Sequence, residues 1–145
     1  MGQGCIASSI RKNNERGASV IRSDQKALLI AKASLAKKAQ EVVILDMRKV
    51  SNFTDFFVIA SGTSQRQVQA VVDSIEETLS KKGISRWHVE GYQNAQWIVM
   101  DYGDIVAHVF LQEKREFYRL ERLWAEAPRK YLTDEGVRLE YKRSH

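Results

Sequence analysis

The stretch QWIVMDYGDIVAHVFL, residues 96–111, carries the strongest fold signal in the chain. It contains two apolar runs rich in β-branched residues, separated by Tyr102-Gly103-Asp104. Runs of this length and composition predict strands over 96–102 and 105–111. A connection this short, with glycine at its centre, predicts that the two strands form an antiparallel hairpin.

The first of these strands has two apolar faces. Alternation of side chains places Trp97, Val99 and Asp101 on one face. The opposite face carries Ile98, Met100 and Tyr102. Either helices cover both sides of the sheet, or one side presents an aromatic patch to a partner. Burial of Trp97 is at least as well favoured as exposure, because tryptophan is usually a core residue.

The region before the hairpin predicts two helices and three strands. A helix begins at Ser23 or Asp24, either of which can cap it, and apolar residues recur through it at helical spacing. Strands are expected over 41–47, 54–61 and 86–90. A second helix starts at a capping box formed by Ser64 and Gln67 and ends at Gly83.

The region after the hairpin predicts one more helix, over 113–124, and Pro128 is expected to end the folded region. Residues 128–145 are then expected to be a charged C-terminal tail. The element order is helix, two strands, helix, three strands, helix. This order predicts an α/β fold with a mixed five-stranded sheet and flanking helices.

Length and charge limit the functions open to the chain. Its 145 residues suit one domain, and no apolar run is long enough to span a membrane. The single cysteine, Cys5, suits a reducing cytoplasm. Residues 1–23 hold four basic groups and one acid, whereas residues 24–125 hold 14 basic and 13 acidic side chains. The net charge of +5 therefore sits mainly in a flexible N-terminal extension, which disfavours direct RNA binding by the core.

Motifs for catalysis are missing from the sequence. The three histidines form no metal-binding pair, and there is no P-loop, dinucleotide fingerprint or nucleophile elbow. We therefore predict no catalytic residue, no metal and no cofactor. An alternative is a magnesium-dependent nucleotidyltransferase that uses Asp101 and Asp104. Aspartates beside a glycine turn are more often ordinary turn residues.

The motifs together resemble a known family. DFFVIASGTS (55–64), VEG (89–91), WIVMDYGDIVAHVF (97–110) and REFYRLERLW (115–124) are similar to the successive motifs of the Iojap-like ribosomal silencing factors. The resemblance covers about residues 24–127. Residues 1–23 and 128–145 lie outside it, and Ala107 replaces a larger aliphatic residue that is usual in the family.

The resemblance implies a nucleotidyltransferase-like fold without a transferase role. It implies a translation repressor that binds the fourteenth protein of the large ribosomal subunit and sterically blocks joining of the small subunit. A homodimeric scaffold is a further alternative, and the basic N-terminal extension is open to a minor contact with ribosomal RNA. No membrane partner is expected. The partner-binding residues implied are Trp97, Ile98, Met100, Asp101, Tyr102, Asp104, His108, Arg115 and Tyr118.

Overall fold

A computed structural model describes residues 21–133 and 136–140, with the side chains of 117, 118, 120, 121 and 136–140 left aside. Most of the N-terminal extension lies outside the described residues. The described residues form four helices: α1 (Ser23–Ala36), α2 (Gln65–Ser80), α3 (Gln112–Tyr118) and α4 (Leu120–Leu123). The strands are β1 (Gln40–Asp46), β2 (Phe56–Gly62), β3 (His88–Glu90), β4 (Trp97–Asp101), β5 (Ile105–Leu111), β6 (Arg129–Thr133) and β7 (Gly136–Glu140).

The strands form one mixed sheet in the order β3-β4-β5-β2-β1-β6-β7. The β2–β5 pair is parallel and every other pair is antiparallel. The predicted hairpin is confirmed, with Trp97 opposite Phe110 and Asp101 opposite Val106. The α2 crossover between β2 and the hairpin allows the one parallel pairing, because parallel neighbours need a long connection.

The sheet has seven strands in the described residues, so the prediction of five is corrected. The two additional strands come from the segment that was expected to be a charged tail. In β6 only Leu132 is buried, where it faces Val42 of β1. Charged residues around a single buried leucine give little periodic signal, and Pro128 suggested an end to regular structure. The nucleotidyltransferase-like likeness stays a prediction.

Helices α1 and α2 cover one face of the sheet. Their apolar stripes bury Ala27, Ile30 and Ala31 of α1 together with Val68, Val71, Val72, Ile75 and Leu79 of α2. Helical spacing of these residues places each set on a single side of its helix. They pack on the sheet residues of the same cluster, among them Val58, Ile98 and Met100. This cluster is the larger of the two cores. Among the described residues, no helix is long and apolar enough to cross a membrane.

A smaller cluster lies on the opposite face of the sheet. Its buried members include Val43, Leu45, Ile59, Phe110 and Ala127. The partly buried Phe57, Trp97 and Trp124 pack against it. Both faces of the hairpin are therefore apolar because each packs on one of the two clusters. The face opposite α1 and α2 is only partly covered.

Two helix boundaries differ from the sequence-based expectation. The residue that precedes α1 is Arg22, which makes no side-chain cap, so neither Ser23 nor Asp24 has the predicted capping role. The predicted helix over 113–124 is broken at Arg119, whose left-handed φ of 50° separates α3 from α4. A left-handed arginine carries no sequence signal, because glycine or asparagine usually occupies that conformation.

The start of α2 is as predicted. The Ser64 side chain accepts a hydrogen bond from the Gln67 backbone N–H at 3.1 Å. The Gln67 side chain accepts from the Thr63 backbone N–H at 2.7 Å, one residue before the Ser64 N–H that a capping box would use. We expect Ser64→Ala to lower the free energy of unfolding by about 1 kcal/mol, since a backbone donor of the first turn loses its partner. Urea denaturation measures this, with Ser80→Ala at the other end of α2 as the control; equal losses would contradict the capping role.

Candidate partner-binding site

Four partly exposed apolar side chains lie side by side on the sheet face opposite α1 and α2. They are Phe57 of β2, Trp97 and Val99 of β4, and Val106 of β5. The register places them on adjacent strands, because Phe57 faces Val106 and Val106 faces Asp101. We call Phe57, Trp97, Val99 and Val106 the open face. Adjacent apolar side chains left accessible on a sheet are typical of a surface that contacts another protein.

Trp97 is part of the smaller core and part of the open face. Its indole Nε1–H donates to Nδ1 of His108 at 3.1 Å. The ring also stacks on Phe110, with centroids 5.0 Å apart and planes inclined by 22°. The two sequence-based alternatives for Trp97, burial and exposure, thus describe different parts of one side chain.

His108 is buried, with 6% of its surface exposed. Burial lowers the pKa of its imidazole from 6.5 to about 4, so the ring is neutral near pH 7. Because Nδ1 accepts the indole hydrogen, the proton of the neutral ring sits on Nε2. Within the described residues Nε2 has no hydrogen-bonding partner. The Phe57 and His108 rings pack in a T-shaped arrangement, with their centroids 4.6 Å apart.

The buried histidine predicts a pH-dependent stability. With a folded pKa of about 4 and an unfolded pKa of 6.5, the unfolded chain binds the proton more readily between those values. The stabilising contribution is therefore complete above pH 6.5 and is lost as pH falls through about 4. Between about pH 7.5 and about pH 5 this amounts to roughly 2 kcal/mol. Urea denaturation at the two pH values should show this loss reduced in His108→Phe, and equal losses would contradict the assignment.

The two aspartates of the hairpin have different partners. The Asp101 carboxylate accepts from the Gly103 backbone N–H at 2.8 Å, as turn aspartates do. Both oxygens of Asp104 accept from Nζ of Lys26 at 3.1 Å, so its charge is balanced within the chain. Asp101 stays partly exposed at the edge of the open face. In the described part of the chain, no group of three or more His, Cys, Asp or Glu could hold a metal ion.

Three predicted contact residues face the larger core. Ile98 and Met100 have no exposed surface, and Tyr102 is 4% exposed. They lie beneath α1 and α2, because alternation along β4 turns them away from Trp97. A partner cannot reach them without opening that core, so they do not belong to the candidate surface. Burial also raises the pKa of the Tyr102 hydroxyl to about 12.

Arg115 is buried and serves the fold. Its Nη1 donates to the backbone oxygen of Glu41 at 2.6 Å and to Oγ of Ser61 at 3.2 Å. Glu41 has a left-handed φ of 51° and lies in the irregular register between β1 and β2. The guanidinium therefore satisfies a carbonyl group at a distorted point of the sheet. The side chain of Tyr118, the last predicted contact residue, lies outside the described part.

Sequence reasoning missed several residues of this surface. Alternation had already placed Val99 on the same face as Trp97, although Val99 was not among the predicted contact residues. Phe57 and Val106 join that face only through the strand register, which no single strand reveals. Glu90 of β3 faces Val99 and so adds a carboxylate next to Asp101. Among the described side chains, three large apolar ones are also highly exposed outside this face: Phe53 at 90%, Trp87 at 76% and Leu123 at 73%. The open face is thus bordered by the carboxylates of Glu90 and Asp101, and His88, which faces Asp101, is hydrogen-bonded to Glu90 at 2.8 Å.

Comparison with known families gives one clear match. The model of the family described as "Ribosomal silencing factor during starvation" matches residues 20–145. The match includes the C-terminal strands, which the sequence-based resemblance had left outside its range.

Curated relatives carry related names. The ribosomal silencing factor RsfS of Halalkalibacterium halodurans is 44% identical over 101 residues, which span 70% of this chain and 85% of the relative. RsfS of Bacillus subtilis is 38% identical over 107 residues, or 72% of this chain and 91% of the relative. The chloroplastic protein Iojap of Zea mays is 31% identical over 70% of this chain and 44% of its own length.

Solved structures share the fold. A crystal structure of a Bacillus halodurans protein superposes with a TM-score of 0.65 at 39% identity, covering 70% of this chain and 95% of that one. An X-ray structure of a Chromobacterium violaceum protein gives a TM-score of 0.70 at 26% identity, covering 86% and 95%.

Proposed function

The chain belongs to the family of ribosomal silencing factors, and from this membership we propose that it represses translation by binding the large ribosomal subunit. The partner is the fourteenth protein of that subunit, and the contact is made by the open face. When it is bound to this ribosomal protein, the domain occupies space that the small subunit needs when the two subunits join. The action takes place in the cytoplasm, where the family's bacterial members meet ribosomes.

The observation that carries this proposal is the open face itself. Four adjacent apolar side chains, including a tryptophan held in place from two sides, supply the apolar centre typical of a protein interface. Asp101 and Glu90 border them with carboxylates. Ribosomal proteins are basic because they contact RNA, so this border complements such a partner.

The mechanism needs binding alone. Blocking an association requires only that the bound domain and the incoming subunit cannot occupy the same volume. No group in the chain has to make or break a bond, and neither cofactor nor metal enters the proposal. The near balance of charge in residues 24–125 agrees with a contact made mainly to protein.

Site-specific photo-crosslinking tests the partner and the surface together. A photoreactive phenylalanine replaces Val99 on the open face, and a control places it at Lys32, an exposed residue of α1 on the opposite side. After irradiation with purified bacterial large subunits, the Val99 probe should join predominantly to the fourteenth protein, and the Lys32 probe should not.

Other products would contradict the proposal. A crosslink from Val99 to ribosomal RNA or to a different ribosomal protein would reject the named partner. A crosslink mainly to a second copy of this chain would favour the homodimeric alternative. Absence of co-sedimentation with large subunits would reject the function.

A further inference from the structure

His108 lies next to Trp97, the central candidate contact residue, but is itself buried. In the hairpin register Val99 faces His108 and Trp97 faces Phe110, so Trp97 and His108 are diagonal neighbours on one face. Diagonal pairs of long side chains lie within reach of each other. The 3.1 Å hydrogen bond from the indole Nε1 to the imidazole Nδ1 uses this geometry.

The arrangement of His108 is costly for the fold. The residue is 6% exposed, and its Nε2 has no hydrogen-bonding partner in the described part of the chain. A buried donor without an acceptor destabilises a protein, because it has lost its hydrogen bonds to water and gained none. A phenylalanine would fill the same place between Phe57 and Trp97 without that cost. The feature that phenylalanine lacks is the acceptor for the indole.

Two contacts together fix the orientation of the Trp97 ring. Phe110 stacks on the ring and limits its tilt. The hydrogen bond to His108 selects which edge of the indole points inward. A contact residue that is already ordered loses less conformational entropy when a partner binds.

We propose that His108 is a positioning residue, which holds Trp97 in its binding orientation by accepting the indole N–H. This inference rests on the proposed function, because it assumes that Trp97 contacts the large subunit. His108 itself does not touch the partner. It raises affinity by fixing Trp97 before the two proteins meet.

Two variants separate positioning from packing. His108→Phe keeps an aromatic ring and removes the acceptor. His108→Asn loses ring volume and keeps an acceptor close to the position of Nδ1. The indole N–H resonance of Trp97 in the free protein reports the hydrogen bond, and Trp97→Phe identifies it among the three tryptophans of the chain. Affinity is measured with purified bacterial large subunits, and stability by urea denaturation.

We expect His108→Phe to be folded, to shift the Trp97 indole resonance, and to bind large subunits about tenfold more weakly, the effect of one hydrogen bond. His108→Asn should retain more of the affinity than His108→Phe even though it is the less stable variant. Unchanged affinity in His108→Phe, an unchanged indole resonance, or affinities that merely follow stability would overturn the inference. If the wild-type protein does not bind large subunits, the proposed function fails instead, and the indole resonance still decides whether the hydrogen bond exists.

Discussion

Trp97→Ala is expected to weaken binding to the large ribosomal subunit by at least about 30-fold, the effect of losing an aromatic residue at the centre of an interface. Trp97 combines the largest side chain of the open face with an orientation fixed by His108 and Phe110. The substitution removes the apolar contact area of the indole and also the contribution of a side chain whose orientation is fixed before binding. Equilibrium sedimentation or fluorescence anisotropy with purified large subunits measures the loss.

The control for this variant must separate binding from stability, since Trp97 also packs on the smaller core. Leu29→Ala truncates a partly exposed apolar residue of α1 on the opposite side of the sheet. It should lower stability modestly and leave affinity unchanged. If Trp97→Ala abolishes the near-ultraviolet circular dichroism of the whole protein, Trp97 is a core residue and the assignment of the surface fails.

Arg115→Ala should lower the free energy of unfolding by about 4 kcal/mol without any direct effect on the open face. The substitution removes a short charge-assisted hydrogen bond to the Glu41 carbonyl and a longer one to the Ser61 hydroxyl from a buried site. It leaves the Glu41 carbonyl without its donor at a point where the β1–β2 ladder is already irregular. Urea denaturation followed by far-ultraviolet circular dichroism measures the change.

Arg115→Lys is the matched control for charge. A lysine ammonium can reach one acceptor but lacks the planar fork of the guanidinium, so an intermediate loss is expected. A loss below about 1 kcal/mol in Arg115→Ala would show that the buried arginine does not stabilise the register between β1 and β2. Arg115 would then return to the set of candidate contact residues.

The hairpin and the start of α2 could be predicted because their signals are local. Tyr102-Gly103-Asp104 requires a tight turn, and Gly103 has the positive φ of 89° that such turns favour. Ser64 and Gln67 are three residues apart, the first and last positions of a four-residue motif, so sequence spacing alone fixes their contact. In both cases every interacting group lies within a few residues.

The remaining features depend on contacts between distant segments. Strand β6 is held by β1, more than 80 residues earlier in the chain, and its own sequence is too charged to indicate a strand. The role of Arg115 depends on a left-handed Glu41 that no pattern reveals. Within the site, alternation correctly separated Trp97 from Ile98, but the family resemblance placed both in the contact set. The burial of Ile98 and Met100 under α1 and α2 removes them from it.

The most direct test of the account is the association of purified ribosomal subunits, followed by light scattering, in the presence of this protein. Wild-type protein added to large subunits should reduce the association signal in proportion to its occupancy, and Trp97→Ala at the same concentration should have far less effect. Full association of large subunits that demonstrably carry the wild-type protein would contradict the claim that it silences ribosomes by occupying the joining surface.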